Sequence, residues 1–214
     1  MAFLGRVFLL LFERKDLVFT SFYQHIYISV VACFFIGVCG IPLGILISRF
    51  RSVAPFVISL TGVLYTIPSL ALFGFMIPLL GIGLKPTLFA LFIYGLLPLV
   101  RNTYVGITTV DPGIVEAAKG MGSTDWQLLA RVQLPLALPF IVAGFRTVVV
   151  MTISVSTIAA FIGAGGLGVL IFRGITSYYT ELIVAGSMLV ALLAIIADSV
   201  LGFLERKLLR RIQM

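Results

Sequence analysis

Charged side chains are scarce in this sequence. Asp, Glu, Lys and Arg make up 11% of the 214 residues, whereas soluble proteins carry about 25%. No charged residue occurs between Arg51 and Lys85, or between Arg146 and Arg173. Each gap is longer than the roughly 20 apolar residues that cross the hydrocarbon core of a bilayer. Together with a mean hydropathy of +1.20, these gaps exclude an ordinary soluble domain and predict a membrane protein.

The residues that build most catalytic and metal sites are also few. His25 is the only histidine, and the two cysteines, Cys33 and Cys39, lie six positions apart in one apolar run. On a helix this spacing corresponds to roughly 9 Å of rise, which is too far for a disulfide. With His25 as the only histidine, we expect no Ser-His-Asp arrangement, and no His or Cys cluster has metal-ligand spacing. We therefore expect no catalytic residue and no metal site.

Signals for nucleotides and nucleic acids are missing as well. No G-x-x-x-x-G-K-[ST] phosphate loop occurs, so we expect neither ATP nor another cofactor in this chain. The run GAGGLG at 163–168 has the spacing of a dinucleotide fingerprint, but it ends an apolar segment instead of joining a strand to a helix. We interpret it as a bend or a close packing point. The net charge of +7 reflects basic residues around apolar runs, which set membrane orientation, and does not indicate nucleic acid.

Five apolar segments are long enough to cross a membrane. The ten-residue alternating segments of a transmembrane β-barrel are absent from the sequence. The predicted fold is therefore an all-α integral membrane protein with about five transmembrane helices. The predicted spans are residues 25–48, 55–80, 86–108, 134–162 and 182–204.

The distribution of Lys and Arg predicts an orientation. More of them follow the first, third and fifth spans than lie on the other side, which places the N-terminus outside and the C-terminus in the cytoplasm. Residues 1–22 are expected to form an interfacial segment retained in the mature protein, because their apolar run is short and lacks a cleavage signal. Residues 23–205 form the predicted transmembrane domain, and 206–214 a basic cytoplasmic tail.

A polar stretch interrupts the apolar sequence at 111–135, on the predicted cytoplasmic side. Asp111 followed by Pro112 indicates the capped start of a short helix, which should stop at the glycines near 120–122. Thr124 and Gln127 have the spacing of a capping box and predict a second short helix, which ends before Pro135 resets the chain. The alternative is a loop that merely connects two spans.

The residues of this stretch resemble a known family. Glu-Ala-Ala at 116–118, a glycine at Gly120 and Leu134-Pro135 are similar to the EAA loop of binding-protein-dependent ABC importers. VLYTIPSLALFGFMIPLLGIG, LLPLVRNTYVGI, IGAGGLG and DSVLGFLERKL extend the resemblance to permease subunits of osmoprotectant importers, over roughly residues 20–208. The resemblance implies a type I importer, MetI-like permease fold. It implies that the loop is a coupling helix, whose residues in this sequence are Glu116, Ala117, Ala118, Gly120, Gly122, Leu134 and Pro135.

The resemblance also implies a function and partners. The chain would form the path for glycine betaine, choline or carnitine, delivered by an external solute-binding protein. A second permease subunit, the same chain or a related one, would complete the path, and two separate ATPase subunits would bind ATP and Mg. Membrane lipid would surround the assembly. The alternatives are another small amino-acid-like solute, or a stand-alone secondary transporter, which would need buried coupling carboxylates.

Two further groups of residues are candidates for function. Tyr65, Thr66, Pro68 and Ser69 interrupt the second predicted span, and they either repair a proline kink or line a solute path. Arg146 and Asp198 are charges placed well inside the last two spans, where an unpaired charge is costly. We expect them to face the protein interior and to pair or share a polar network. The alternative is that Arg146 extends to the cytoplasmic interface and ignores Asp198.

Overall fold

The computed structural model describes residues 3–212, and this part of the chain is helical with no β-strand. Four helices are long and apolar enough to cross a membrane, and a bent pair forms a fifth span if it is counted as one. The predicted all-α fold is therefore confirmed. The helices are α1 (Phe3–Glu13), α2 (Lys15–Arg49), α3 (Ala54–Thr66), α4 (Ser69–Leu80), α5 (Leu84–Thr108), α6 (Pro112–Gly120), α7 (Asp125–Gln127), α8 (Leu134–Ser156), α9 (Gly168–Thr176) and α10 (Thr180–Ile212).

The centre of the bundle is formed by α2, α5 and α8. Ile36, Leu99 and Val148, one from each helix, are fully buried in a common apolar cluster. Glycines let α2 and α5 approach closely: a Cβ at Gly95 would lie 2.3 Å from Ile36, and one at Gly44 would lie 2.5 Å from Thr103. Small residues at such contacts are typical of helix pairs in membranes, where close backbone approach provides the packing energy.

The N-terminal part of the chain packs on the last helix. Val7 and Leu10 of α1 are buried against Leu170 and Leu182, in a cluster that also contains Leu167. The outer side of α1 carries exposed apolar residues, so the helix presents apolar side chains both to the bundle and to its surroundings.

Two predicted boundaries do not coincide with breaks in the chain. The boundary between residues 22 and 23 falls inside α2, which runs without interruption from Lys15 because no glycine or proline occurs before Gly37. The predicted basic tail at 206–214 is helical as far as the structure describes it, because α10 continues to Ile212. Lys and Arg are good helix formers, so a helix can continue through a basic sequence.

The second predicted span is broken into two helices. Residues 55–80 were expected to form one kinked helix, but α3 and α4 meet at an angle of 95°. Ile67 and Pro68 at the break are extended, with ψ of 127° and 134°. Proline disfavours helical geometry at the preceding residue, so the chain turns here instead of merely bending.

Candidate functional site

The polar stretch between α5 and α8 begins with α6. The carboxylate of Asp111 accepts a hydrogen bond of 2.7 Å from the backbone N–H of Gly113, and Pro112 is the first helical residue. Proline suits this position because its φ is already helical and its missing N–H would have no partner. The predicted capped start is confirmed.

The end of α6 is a turn that contains a glycine and is closed by two backbone hydrogen bonds. The N–H of Gly122 bonds to the carbonyl of Lys119 at 2.9 Å, and the N–H of Ser123 bonds to the carbonyl of Ala118 at 3.1 Å. These bonds form a Schellman motif, which requires a left-handed residue just past the helix. Gly122 has a φ of +84° and supplies it. The predicted glycine turn is confirmed, and Gly122 is the residue that makes it.

The second short helix starts as the sequence predicted and ends differently. Thr124 and Gln127 form a complete capping box, with bonds of 2.9 and 3.3 Å. However, α7 passes directly into a π-helical segment, Leu128–Gln133, and then into α8. The prediction that Pro135 resets the chain is therefore wrong. The wider π turn lies immediately before the proline ring, which would clash with the carbonyl four residues earlier in a regular α-helix.

One side of this stretch is fixed to the bundle. Ala118, Leu128 and Leu129 are buried, and Leu129 packs in a cluster with Ile107 at the end of α5. The guanidinium of Arg49, at the end of α2, donates a hydrogen bond to the backbone carbonyl of Asp125. The capped ends and these contacts hold the stretch in a defined position on the bundle.

The other side of the stretch exposes apolar surface. Met121 and Trp126 are 81% and 72% exposed, and Ile114 is also exposed. Glu116 and Ala117 are exposed beside them. A fixed, capped element that presents apolar side chains away from its own core is typical of an interaction surface. We call this side, formed by Ile114, Glu116, Ala117, Met121 and Trp126, the loop face.

Gly120 is not the residue that forms the glycine turn, although it lies at the end of α6. Because Gly120 lies where the first short helix was predicted to stop, a side chain there would be expected to obstruct the turn. However, its φ is not positive, and an added Cβ would meet no atom of the described chain within 4 Å. The turn depends on Gly122 instead. A substitution at Gly120 is therefore compatible with the fold of this subunit, and its effect on a docked partner can be measured separately.

The break between α3 and α4 is supported by two hydroxyl groups. Thr66 donates to the carbonyl of Val63 at 2.7 Å, which confirms its predicted part in repairing the kink. Tyr94 of α5 donates to the carbonyl of Ile67, and its ring packs edge-on against Tyr65 at 5.8 Å. Nothing in the sequence pattern had pointed to Tyr94.

The predicted path residues are accessible in the single chain. Tyr65, Thr66 and Pro68 are exposed, whereas Ser69 is half-buried. Thr66 therefore makes its hydrogen bond at the break from an exposed position.

Arg146 and Asp198 form an ion pair between α8 and α10, as predicted. The Nε and Nη2 atoms of Arg146 donate to the two carboxylate oxygens of Asp198 at 2.6 and 2.7 Å. Nη1 donates to Glu205 at 3.0 Å. Gly202 lies between the two carboxylates on α10, and a Cβ there would be 3.0 Å from the guanidinium carbon. We call Arg146, Asp198 and Glu205 the ion cluster.

The ion cluster is not enclosed within the chain. The side chains of Arg146, Asp198 and Glu205 are 32%, 41% and 22% exposed. The expectation that the charges face the interior therefore does not hold for the subunit alone. Hydrocarbon is a poor environment for such a cluster, so this side of the bundle requires protein or water as its neighbour. Glu205 was missed by the sequence analysis, although its spacing of seven residues from Asp198 places both on one helix face.

The only histidine joins three elements. His25 of α2 is fully buried. Its Nδ1 accepts a hydrogen bond of 3.2 Å from the backbone N–H of Leu167, so Nε2 carries the proton and donates to the carbonyl of Ile153 at 3.0 Å. Gln24 accepts from the N–H of Gly166 at 3.1 Å. These bonds fasten the glycine-rich loop at 163–168 to α2 and α8.

The glycines of this loop are required by geometry. Gly163, Gly165 and Gly166 have φ values between 78° and 84°, and a Cβ at Gly168 would lie 1.9 Å from the carbonyl oxygen of Thr157. The interpretation of GAGGLG as a bend and a close packing point is confirmed.

Residues 40–210 match a protein family described as the binding-protein-dependent transport system inner membrane component. The chain belongs to this family. Curated relatives include the glycine betaine/carnitine/choline transport system permease protein OpuCD of Bacillus subtilis, which is 45% identical over 92% of this chain and 86% of its own length. The carnitine transport permease protein OpuCB of Listeria monocytogenes is 45% identical over 87% and 85%. The osmoprotectant import permease protein OsmW of Salmonella typhimurium is 45% identical over 86% and 87%.

Solved structures support the fold of this permease. It is similar to an inward-facing form of the MetNI methionine ABC transporter, with a TM-score of 0.80 and 23% identity, over 91% of this chain and 97% of that one. An amino acid ABC transporter solved with histidines gives a TM-score of 0.77 at 20% identity, over 94% and 98%. At this identity the likeness establishes the MetI-type permease fold.

The predicted site residues of the permease lie on different elements. Glu116, Ala117, Ala118 and Gly120 lie on α6, with Gly122 just after it. Leu134 and Pro135 begin α8 and are part of the continuous helix that follows α7. Tyr65 and Thr66 are the last residues of α3, Pro68 lies in the break, and Ser69 begins α4. The ion cluster joins α8 to α10.

Proposed function

We propose that this permease forms the membrane path of an ABC importer for a quaternary-amine osmoprotectant such as glycine betaine, carnitine or choline. The solute class is supported by the names of the curated relatives, which are about equally similar to this chain and are described as permeases for these compounds. The observation that carries the coupling part of the proposal is the loop face, a rigid and partly apolar surface that the subunit itself leaves uncovered.

The partners follow from this proposal. An external solute-binding protein would deliver the solute, and a second permease subunit, the same chain or a related one, would complete the path. Two ATPase subunits would dock, one on the loop face of each permease subunit, with ATP and Mg bound at their own sites. The permease would be a non-catalytic subunit. Closure of the ATPases would move α6, and the continuous segment from α7 to α8 would carry this movement into the membrane.

The proposed location is the bacterial cytoplasmic membrane. The loop face and the basic end of α10 would lie in the cytoplasm, and the N-terminus outside. In this orientation the glycine-rich loop held by His25 lies toward the outer side, and Tyr65, Thr66, Pro68 and Ser69 would line or adjoin the solute path.

The test adds side chains at Gly120, next to the loop face, and reverses the charge of Glu116 within it. Gly120→Ala and Gly120→Leu add side chains where the chain offers open space, and both residues favour a helix over glycine. Glu116→Lys reverses an exposed charge. For each variant, the assembled complex would be purified, and the ratio of subunits, the ATPase rate and the uptake of glycine betaine, carnitine and choline would be measured. We expect normal membrane insertion, with a loss of ATPase association or of uptake per ATP hydrolysed that increases from Ala to Leu.

Two results would contradict different parts of the proposal. Normal assembly and normal coupled uptake in Gly120→Leu would mean that the loop only connects two spans. Coupled uptake of methionine or another amino acid by the wild-type complex, without uptake of quaternary amines, would retain the importer and reject the solute class.

A further inference from the structure

An apolar groove runs along the bundle between α2, α8 and α10. Its first part has a volume of about 460 Å³ and is lined by Val30, Val149 and Leu193, among others. A second cavity of about 450 Å³ shares Phe145 and Leu201 with the first. The two cavities are therefore adjacent, and we call them together the groove, which follows α10 toward its C-terminal end.

A basic side chain lies at the C-terminal end of the groove. Lys207 lines the second cavity together with Leu204 and Leu208. Among residues 3–212, no carboxylate is within ion-pair distance of Lys207. Arg206 and Arg210 lie nearby in the sequence. Basic residues directly after a membrane-spanning segment attract the phosphate groups of anionic lipids, and the apolar length of the groove suits an acyl chain.

The two sides of the α8–α10 pair differ in polarity. Phe145 and Val149 of α8 face the groove, whereas Arg146 and Thr147 face the opening beside Asp198. The side with the ion cluster is unsuited to hydrocarbon, because charges at this depth are costly to place in lipid. The groove side carries no such penalty, so it is the side of this helix pair that can contact the bilayer.

We propose that this groove binds a phospholipid with an anionic head group, with an acyl chain between α2, α8 and α10 and the phosphate at Lys207. A lipid in this position would contact all three helices at once and would fill the space that these helices leave between them. The proposal depends on the chain spanning a membrane and does not depend on which solute the importer carries.

The experiment measures lipid retention by the purified full-length chain in mild detergent, using native mass spectrometry. Phosphatidylglycerol and phosphatidylcholine with identical acyl chains are the probes. We expect wild type to retain more phosphatidylglycerol than phosphatidylcholine. Lys207→Ala should lower phosphatidylglycerol retention by about fivefold, the factor expected for one basic residue at an anionic surface. Ala197 lines the first part of the groove, and Ala197→Phe, which fills this space, should lower retention of both lipids.

The control is Arg173→Ala, which removes an exposed basic residue from α9 and should leave retention unchanged. An equal loss with Arg173→Ala would mean non-specific attraction and would overturn the proposal. Unchanged retention in both Lys207→Ala and Ala197→Phe would also overturn it. If Ala197→Phe instead converts a dimer into monomers and leaves lipid retention intact, the groove is an interface between two copies of this chain, and the lipid proposal fails.

Discussion

The guanidinium of Arg146 on α8 holds the carboxylate of Asp198 on α10 in a two-bond, parallel arrangement, with distances of 2.6 and 2.7 Å. Such pairs fix the orientation of both groups as well as their separation. The remaining Nη1 group reaches Glu205, two helical turns away. A single arginine therefore ties two positions of α10 to α8. The ammonium group of a lysine lacks the planar fork that forms two parallel bonds to one carboxylate.

We predict that substitutions in the ion cluster destabilise the folded subunit to different degrees. Arg146→Met should reduce the yield of folded, monodisperse protein more than Asp198→Asn. The first leaves two carboxylates without a cation, whereas the second keeps the Arg146–Glu205 pair. Size-exclusion chromatography and thermal unfolding in detergent measure the effect, with Lys85→Met as a control for the loss of an exposed charge. Equal behaviour of Arg146→Met and Lys85→Met would show that the cluster does not stabilise the subunit.

We predict that His25 stabilises the fold through its two buried hydrogen bonds. His25→Ala would leave the buried N–H of Leu167 and the carbonyl of Ile153 without partners. At about 1–3 kcal/mol for each unsatisfied group, we expect the free energy of unfolding to fall by about 3 kcal/mol. Hydrogen exchange at Leu167 should accelerate, because its amide loses its acceptor.

The neighbouring Gln24→Ala is the matched control for His25. Gln24 also bonds to the glycine-rich loop but is exposed, so water can replace its acceptor and the loss should be below about 1 kcal/mol. A similar decrease in the free energy of unfolding for the two variants would mean that the buried hydrogen bonds of His25 contribute no more to stability than the exposed hydrogen bond of Gln24. Measurements of unfolding and of amide exchange in the same detergent decide between the two outcomes.

The features that the sequence predicted well are local. The cap at Asp111, the capping box of Thr124 and Gln127, and the glycine turn each depend on residues within a few positions of one another. Their geometry therefore follows from residue type and spacing. The pairing of Arg146 with Asp198 was also predictable, because a charge deep in a span needs a partner and the candidates were few.

The features that the sequence did not predict depend on distant contacts or on competing local preferences. His25 meets Ile153 across 128 positions, and Tyr94 meets Ile67 across 27, and neither spacing leaves a periodic signal. The 95° turn at Pro68 and the passage of α7 into α8 both concern prolines. A proline can bend, break or start a helix, and the surrounding packing decides which of these occurs.

Thr66 and Ser69 provide the last prediction, which separates a path from a repaired break. After replacement of Cys33 and Cys39, Thr66→Cys and Ser69→Cys should react with small, charged, water-soluble thiol reagents. The reason is that a thiol reacts as the thiolate, which forms in water and is disfavoured in apolar surroundings. Val30→Cys is the control: it is exposed in the single chain but lies on the groove that we assign to lipid, so it should stay inert.

The state of the partner ATPase makes this labelling test specific for a path. If residues 66 and 69 line the route of the solute, trapping ATP on the partner should change their reaction rates, because the path then opens to the other side. If both cysteines react at the same rate in every state, they are in contact with water but are not part of a moving path. If both stay as inert as Val30→Cys in every state, Thr66 serves only to satisfy the carbonyl of Val63 at the break before Pro68.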